Sequence, residues 1–150
     1  MVTRGVHPNT TAAFNIHYFG NHDRRVMQAL VTAGALVALA DGRVDAIERD
    51  ELVDFIDRQG FIPTISRRCI GKAFDDRGRH LVSRDGAKVI VESFRPLAGL
   101  SLASVVIRTA ERVAAADRKI HPGELRALKL IRLIMMALPS NGPSSTLRVL

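Results

Sequence analysis

The chain has little of what stabilises small secreted proteins or spans membranes. It contains one cysteine, Cys69, so no disulfide can form within it. Its longest mostly apolar run, residues 29–40, has 12 residues, whereas a membrane-spanning helix needs roughly 20. Residues 1–20 hold no apolar stretch ahead of a small-residue cleavage site, which argues against a secretory signal. The expected location is the cytoplasm, with no transmembrane segment.

Signatures of catalysis are also missing from the sequence. It shows no glycine-rich nucleotide-binding motif and no legible Ser-His-Asp or Cys-His arrangement. Tryptophan is absent, and six phenylalanines and one tyrosine are the only aromatic residues. These are few for a protein that stacks on nucleic-acid bases. The absences predict a protein that is not an enzyme, and they disfavour nucleic acid as a partner.

Helical periodicity is abundant by contrast. No stretch alternates convincingly between apolar and polar residues over six positions, whereas spacings of three and four recur along most of the chain. Residues 87–94 fit either a strand or a buried helix, and the lack of a partner strand favours the helix. The sequence therefore predicts an all-α, compact bundle of about six helices, near residues 23–42, 45–60, 63–74, 86–94, 100–116 and 122–138, with a polar loop over 75–86. Residues 1–22 and 139–150 are predicted to be flexible tails around one domain, 23–138.

An internal repeat relates two parts of this domain. A shift of 76 residues aligns Asp41 with Asp117 and Glu48 with Glu124, among six identities in sixteen positions. We call residues 38–48 the first corner and residues 114–124 the second corner. The repeat predicts two similar helical hairpins within one bundle.

The first corner carries the second half of a calcium-loop pattern. Asp41, Asp45 and Glu48 fall at later positions of such a loop, but its first two ligand positions hold Val37 and Leu39. Neither side chain can bind a hard cation, which takes six to eight oxygen ligands. The second corner has apolar residues at the same two positions. A self-sufficient calcium loop is therefore excluded at both corners.

The corner carboxylates still lie at the inner edges of the helices, where a charge must be capped, paired or bound to metal. One explanation is local, because each glutamate can accept a hydrogen bond from the backbone that precedes its helix. The aspartates would then bond to turn amides or pair with arginines. The other explanation is that the corners converge on a divalent cation such as Ca²⁺, Mg²⁺ or Mn²⁺. The candidate ligands are Asp41, Asp45, Glu48, Asp117 and Glu124.

The stretches "ALADGRVDAIERDEL" (38–52) and "AADRKIHPGELRAL" (115–128) resemble the TerB-like tellurite-resistance family, with the resemblance covering roughly residues 24–138. It implies a compact helical bundle with an acidic patch and a non-enzymatic role in tellurite or general chemical stress. It also implies membrane-associated Ter partner proteins, a divalent cation, and a cytoplasmic location that includes the periphery of the inner membrane. A homodimer is a further candidate assembly. The second corner departs from the pattern at Arg118, where the first has glycine, and at His121, where the first has an acid. The chain is also strongly basic outside the acidic patch, and both departures weigh against metal binding at the second corner.

The net charge of +7 is unevenly distributed. Residues 41–57 hold seven acids and two arginines, whereas residues 61–150 carry 16 basic and seven acidic residues. Part of that excess is a basic cluster that consists of Arg67, Arg68, Lys72, Arg77 and Arg79. This cluster gives an alternative function, an adaptor that binds nucleic acid or an anionic membrane through residues 67–79; a solvated surface is the plainer reading. Cys69 lies within the cluster and is predicted to be a buried structural thiol.

Overall fold

The computed structural model describes residues 20–42, 44–98, 102–116 and 118–137. These residues form six α-helices and two 3-10 turns, and they contain no strand: α1 (Gly20–Ala38), α2 (Ala46–Gln59), α3 (Arg67–Leu81), α4 (Gly86–Phe94), α5 (Ala103–Ala114) and α6 (Pro122–Ala137), with turns at Leu39–Asp41 and Arg95–Leu97. The all-α prediction is confirmed. No helix within the described ranges is long and apolar enough to cross a membrane. The predicted tails lie outside those ranges, except that residues 20–22 belong to α1.

Helix α1 runs through the middle of the bundle and contacts the five other helices, most extensively α5 and α3. Between Val26 and Ala38 only Gln28 and Leu36 are partly exposed. A helix that is apolar on nearly every side is typical of a buried position. Its small residues let the neighbours approach, since a Cβ added at Gly34 would lie 2.8 Å from a methyl group of Leu52.

Each corner joins two helices that contact each other. α1 contacts α2 around the first corner, and α5 contacts α6 around the second. The pairs join through α1 and α5, and α2 also packs on α5. Helices α3 and α4 lie between the pairs in sequence and cover other sides of α1.

Helix α3 corrects the sequence prediction at both of its ends. It was expected over residues 63–74, with a polar loop to residue 86, but it begins at Arg67 and continues to Leu81. Ser66 caps its start by accepting a hydrogen bond from the Cys69 backbone N–H at 3.2 Å. The supposed loop is helical because Phe74 and Leu81 continue one inward-facing stripe. Among the polar residues between them, Asp76 pairs with Arg79, and Asp75 pairs with Arg49 of α2.

Candidate functional site

The first corner joins α1 to α2 through a left-handed residue. Gly42 has φ 100°, and its N–H donates to the Leu39 carbonyl at 2.9 Å. Asp45 then adopts an extended conformation and caps α2. Its backbone N–H donates to Oε2 of Glu48 at 3.3 Å, and its side chain accepts from the Glu48 N–H. This reciprocal pair is a capping box, and the three-residue spacing of Asp45 and Glu48 is typical of that motif.

The second corner repeats this backbone path with different side chains. Arg118, which aligns with Gly42, also lies in the left-handed region with φ 67°, and its N–H donates to the Ala115 carbonyl at 3.1 Å. The His121 backbone N–H donates to Oε2 of Glu124 at 3.4 Å. The local explanation of the two glutamates is therefore confirmed, because each one accepts from the residue at its helix start.

The two glutamates are among the most buried side chains of the protein. Glu48 is 1% exposed and Glu124 is 0% exposed. An acidic side chain is almost never so buried unless it is paired. Each corner thus inserts one carboxylate into the protein interior, in the first turn of a helix where the helix dipole favours negative charge.

The corners touch each other, and Gly123 makes that contact possible. A Cβ added at Gly123 would lie 2.7 Å from the Ala40 carbonyl oxygen, closer than side chains pack on backbone. Ala40 belongs to the first corner, and Gly123 immediately precedes the buried Glu124. The start of α6 therefore packs directly against the turn that follows α1. The sequence carried one unused signal of this contact, a glycine in the first turn of a helix, where it weakens the helix unless a backbone approaches closely.

Two of the five candidate ligands cannot be placed. The side chain of Asp41 and the whole of Asp117 lie outside the described residues. Among the side chains that the structure does describe, no three of His, Cys, Asp and Glu are grouped to hold a metal ion. The turn Leu39–Asp41, which ends at Asp41, contacts α6. The predicted five-carboxylate site remains a prediction.

Comparison with known proteins does not assign a family. No family model, curated protein or solved structure gives a significant match to the chain. The TerB-like resemblance therefore rests on the corner residues themselves.

Several cations of the predicted basic cluster pair with nearby carboxylates. Arg67 pairs with Asp54 and, at 3.2 Å, with Asp57, so it fastens the start of α3 to α2. Lys72 and Arg79 both pair with Asp76, and the hydrogen bond from Lys72 lowers the pKa of that carboxyl. Three of the five cations are thus matched by carboxylates at the same surface.

Another arginine neutralises the same side of the molecule. Arg49 of α2 donates two hydrogen bonds to Asp75 of α3, at 2.8 and 3.0 Å. It reaches that partner by crossing Gly71, where an added Cβ would lie 2.6 Å from the guanidinium. Cations and carboxylates therefore alternate on the α2–α3 surface. Ion pairs that are exposed in this way contribute modestly to stability, because salt screens their attraction.

Of the two remaining members of the cluster, Arg68 is exposed and lines a groove between α2 and α3. Arg77 is half-buried beside α1, and burial lowers the pKa of its guanidinium. It lines a cavity of about 290 Å³ together with Met27, Cys69 and His80. Cys69 is exposed, so its predicted burial is wrong. Its position on α3 is on the outward edge of the helix, because Ile70 and Phe74 take the inward positions.

Proposed function

We propose that the protein is a non-enzymatic binding module of the TerB-like type, in which the two corners act together as one acidic site for a divalent cation. The observation that carries this proposal is the contact of Gly123 with the Ala40 carbonyl oxygen. It joins two segments that each bring aspartate and glutamate to a helix boundary. Neither segment holds enough oxygen ligands alone, because apolar residues occupy the first ligand positions of both.

The arrangement of the glutamates favours a small cation over a protein partner as the occupant. Glu48 and Glu124 are fully buried, so a lysine or arginine from outside cannot reach them without opening the bundle. Each uses one carboxylate oxygen for the backbone N–H at its helix start. A carboxylate has about four acceptor positions, so this bond is compatible with a further interaction. Oxygen-only chemistry selects Ca²⁺, Mg²⁺ or Mn²⁺ rather than zinc.

Asp41 and Asp117 are the proposed outer ligands. Asp41 ends the 3-10 turn that follows α1, and Asp117 aligns with it in the sequence repeat. The helix dipole disfavours a negative charge at the carboxyl end of α1, and a cation bound by Asp41 would offset that cost. The Asp45 side chain already accepts a hydrogen bond as the cap of α2. In this proposal Asp45 therefore adds negative charge near the cation but does not bind it directly. At the second corner His121 occupies the position that aligns with Asp45. The first corner therefore supplies more negative charge to the proposed site than the second. The stress-response role and the membrane-associated Ter partners come from the family resemblance and complete the proposal.

The test is a calcium, magnesium and manganese titration of chelator-stripped protein, followed by thermal unfolding and calorimetry. A cation present at 100 times its dissociation constant stabilises the folded state by about 2.7 kcal/mol. We expect such a rise in the melting temperature for the wild type, and its loss in Asp41→Asn and Asp117→Asn. Asp85→Asn is the matched control, since Asp85 is exposed and lies before α4, away from both corners. Absence of heat and of any melting shift in the wild type at millimolar metal would end the cation proposal.

A further inference from the structure

The outward face of α6 is unusually apolar. Its inward side is formed by Glu124, Leu128, Ile131 and Met135, which are all buried. On its outward side four large apolar side chains face solvent: Leu125 (49% exposed), Leu130 (43%), Leu133 (64%) and Met136 (83%). Single exposed apolar residues are ordinary, whereas a group of them on one helix marks an interaction surface.

These side chains form a stripe that contains cations. Leu133 and Met136 lie 8 and 11 residues after Leu125. At 3.6 residues per turn, this spacing places the three side chains within an arc of about 80° around the helix axis. Lys129 lies inside that arc, and Arg126 lies between it and Leu130. The face therefore interleaves apolar and cationic side chains rather than separating them.

The charge of this face is of one sign. Glu124, the only acid of α6, is buried, so the helix exposes no carboxylate. The third outward cation, Arg132, pairs with Glu111 of α5. Arg126 and Lys129 have no ion pair among the described residues. An occupant of the stripe must therefore supply both apolar side chains and negative charge.

The geometry discriminates between three occupants. A second copy bound through the same face would set Arg126 and Lys129 of each chain against each other, and opposed like charges are unfavourable. A bilayer prefers an apolar face with cations along its edges, whereas Lys129 lies in the middle of this stripe. A partner helix satisfies both requirements, because leucines and carboxylates one turn apart would alternate along the seam.

We propose that the outward face of α6 docks an acidic amphipathic helix of a partner protein. Leu125, Leu133 and Met136 fill the spaces between apolar side chains of that helix. Lys129 and Arg126 pair with its carboxylates, with Lys129 in the more central and better desolvated position. The docking face is separate from the buried carboxylates at the start of α6 and does not depend on a cation there.

The test is selection from a displayed library of helical peptides in which positions on one face vary among Leu, Ala, Glu, Lys and Gln. We expect wild-type protein to enrich peptides with Leu and Glu one turn apart. Synthetic peptides of the enriched sequence should bind at least tenfold more weakly to Lys129→Glu, and replacing the facing peptide Glu by Lys should restore that affinity. Arg84→Glu, a reversal at an exposed site between α3 and α4, should bind as the wild type does.

Three outcomes overturn the proposal. One is enrichment with no preference for acids, or affinity that is indifferent to Lys129→Glu. Another is binding to vesicles of phosphatidylglycerol and phosphatidylcholine that is lost in Leu133→Glu, without any selected peptide, which assigns the face to a bilayer. The last is a dimer in sedimentation that Leu133→Glu dissociates, which assigns it to a second copy. Because Lys129 and Leu133 are exposed, the helical circular dichroism of Lys129→Glu and Leu133→Glu should match that of the wild type.

Discussion

The two corners follow one backbone path with different side chains. Each turns through a left-handed residue, Gly42 at φ 100° and Arg118 at φ 67°. Each then buries a glutamate that accepts from the helix start, at 3.3 Å in the first corner and 3.4 Å in the second. The shared features are therefore the left-handed turn and the interior carboxylate.

The corners differ in the residues at the left-handed position and at the position before the second helix. The first has a glycine where φ is positive and an aspartate that completes the capping box. The second has an arginine at the left-handed position and a histidine before Pro122. The second corner also has Gly123, whose missing side chain allows the Ala40 carbonyl to approach closely. The comparison indicates that the buried glutamate is common to both corners, whereas glycine and aspartate improve the first corner locally.

The largest effects are expected from removing the buried glutamates. Glu48→Ala and Glu124→Ala each take away a cap acceptor and leave a cavity, which should lower the free energy of unfolding by about 2–4 kcal/mol. Glutamine keeps the shape and a carbonyl acceptor, so both Gln variants should lose less. Urea unfolding in chelator-containing buffer measures this without metal. Glu92→Ala is the exposed control and should change the value by about 0.5 kcal/mol or less. A large difference between the two alanine variants would show that the corners are not equivalent.

The contact between corners gives the next largest effect. In Gly123→Ala the new methyl group meets the Ala40 carbonyl, and overpacking of this kind costs about 1–3 kcal/mol. Gly78→Ala is the matched control, because a Cβ at Gly78 meets no described atom within 4 Å. It should stabilise the protein by up to about 1 kcal/mol, since alanine is the better helix former. Equal and favourable shifts in the two melting temperatures would mean that the corners do not touch in solution.

The features of the fold that depend on local periodicity and helix capping were predictable from the sequence. The spacing of Asp45 and Glu48 predicted the start of α2. The lack of a partner strand favoured a helix over a strand for residues 87–94, which lie in α4. The α3 prediction failed at residues 75–81, where polarity indicated a loop. Those polar side chains pair within the helix and with α2, as Asp76 does with Lys72 and Arg79. Composition alone does not distinguish a solvated loop from the charged outer side of a helix.

The site was less accessible from sequence than the fold. The repeat aligned Glu48 with Glu124, and both are buried at equivalent places. It did not show that Arg118 keeps the left-handed conformation of the glycine it replaces. The approach of Gly123 to Ala40 joins segments far apart in the chain, and a single sequence holds no direct record of such a contact. The ionic pairing of Arg67 with Asp54 and Asp57 likewise required the packing of α3 on α2.

Exchanging the left-handed residues should give smaller shifts of opposite sign. An L-residue with a side chain pays roughly 1–2 kcal/mol for the left-handed conformation, and glycine does not. Gly42→Ala should therefore destabilise the first corner by about 1 kcal/mol, and Arg118→Gly should stabilise the second by up to a similar amount. Differential scanning calorimetry of both variants and of the double variant tests the pair. A loss of stability in Arg118→Gly would show that the arginine side chain makes a contact worth more than the strain.

The smallest effects are expected from exchanging the residues before the helices. Asp45→His removes the side-chain half of the capping box and should cost about 0.5–1 kcal/mol, and His121→Asp should gain a comparable amount by capping α6. The sign follows from the helix dipole as well, because aspartate places a negative charge at the start of a helix whereas protonated histidine places a positive one. The Asp45→His deficit should therefore grow below about pH 6.5, where a free histidine becomes protonated. Urea midpoints at pH 5.5 and 8 measure both the exchange and its pH dependence. Destabilisation by His121→Asp would mean that the second corner is fitted to histidine, and that its likeness to the first ends at the buried glutamate.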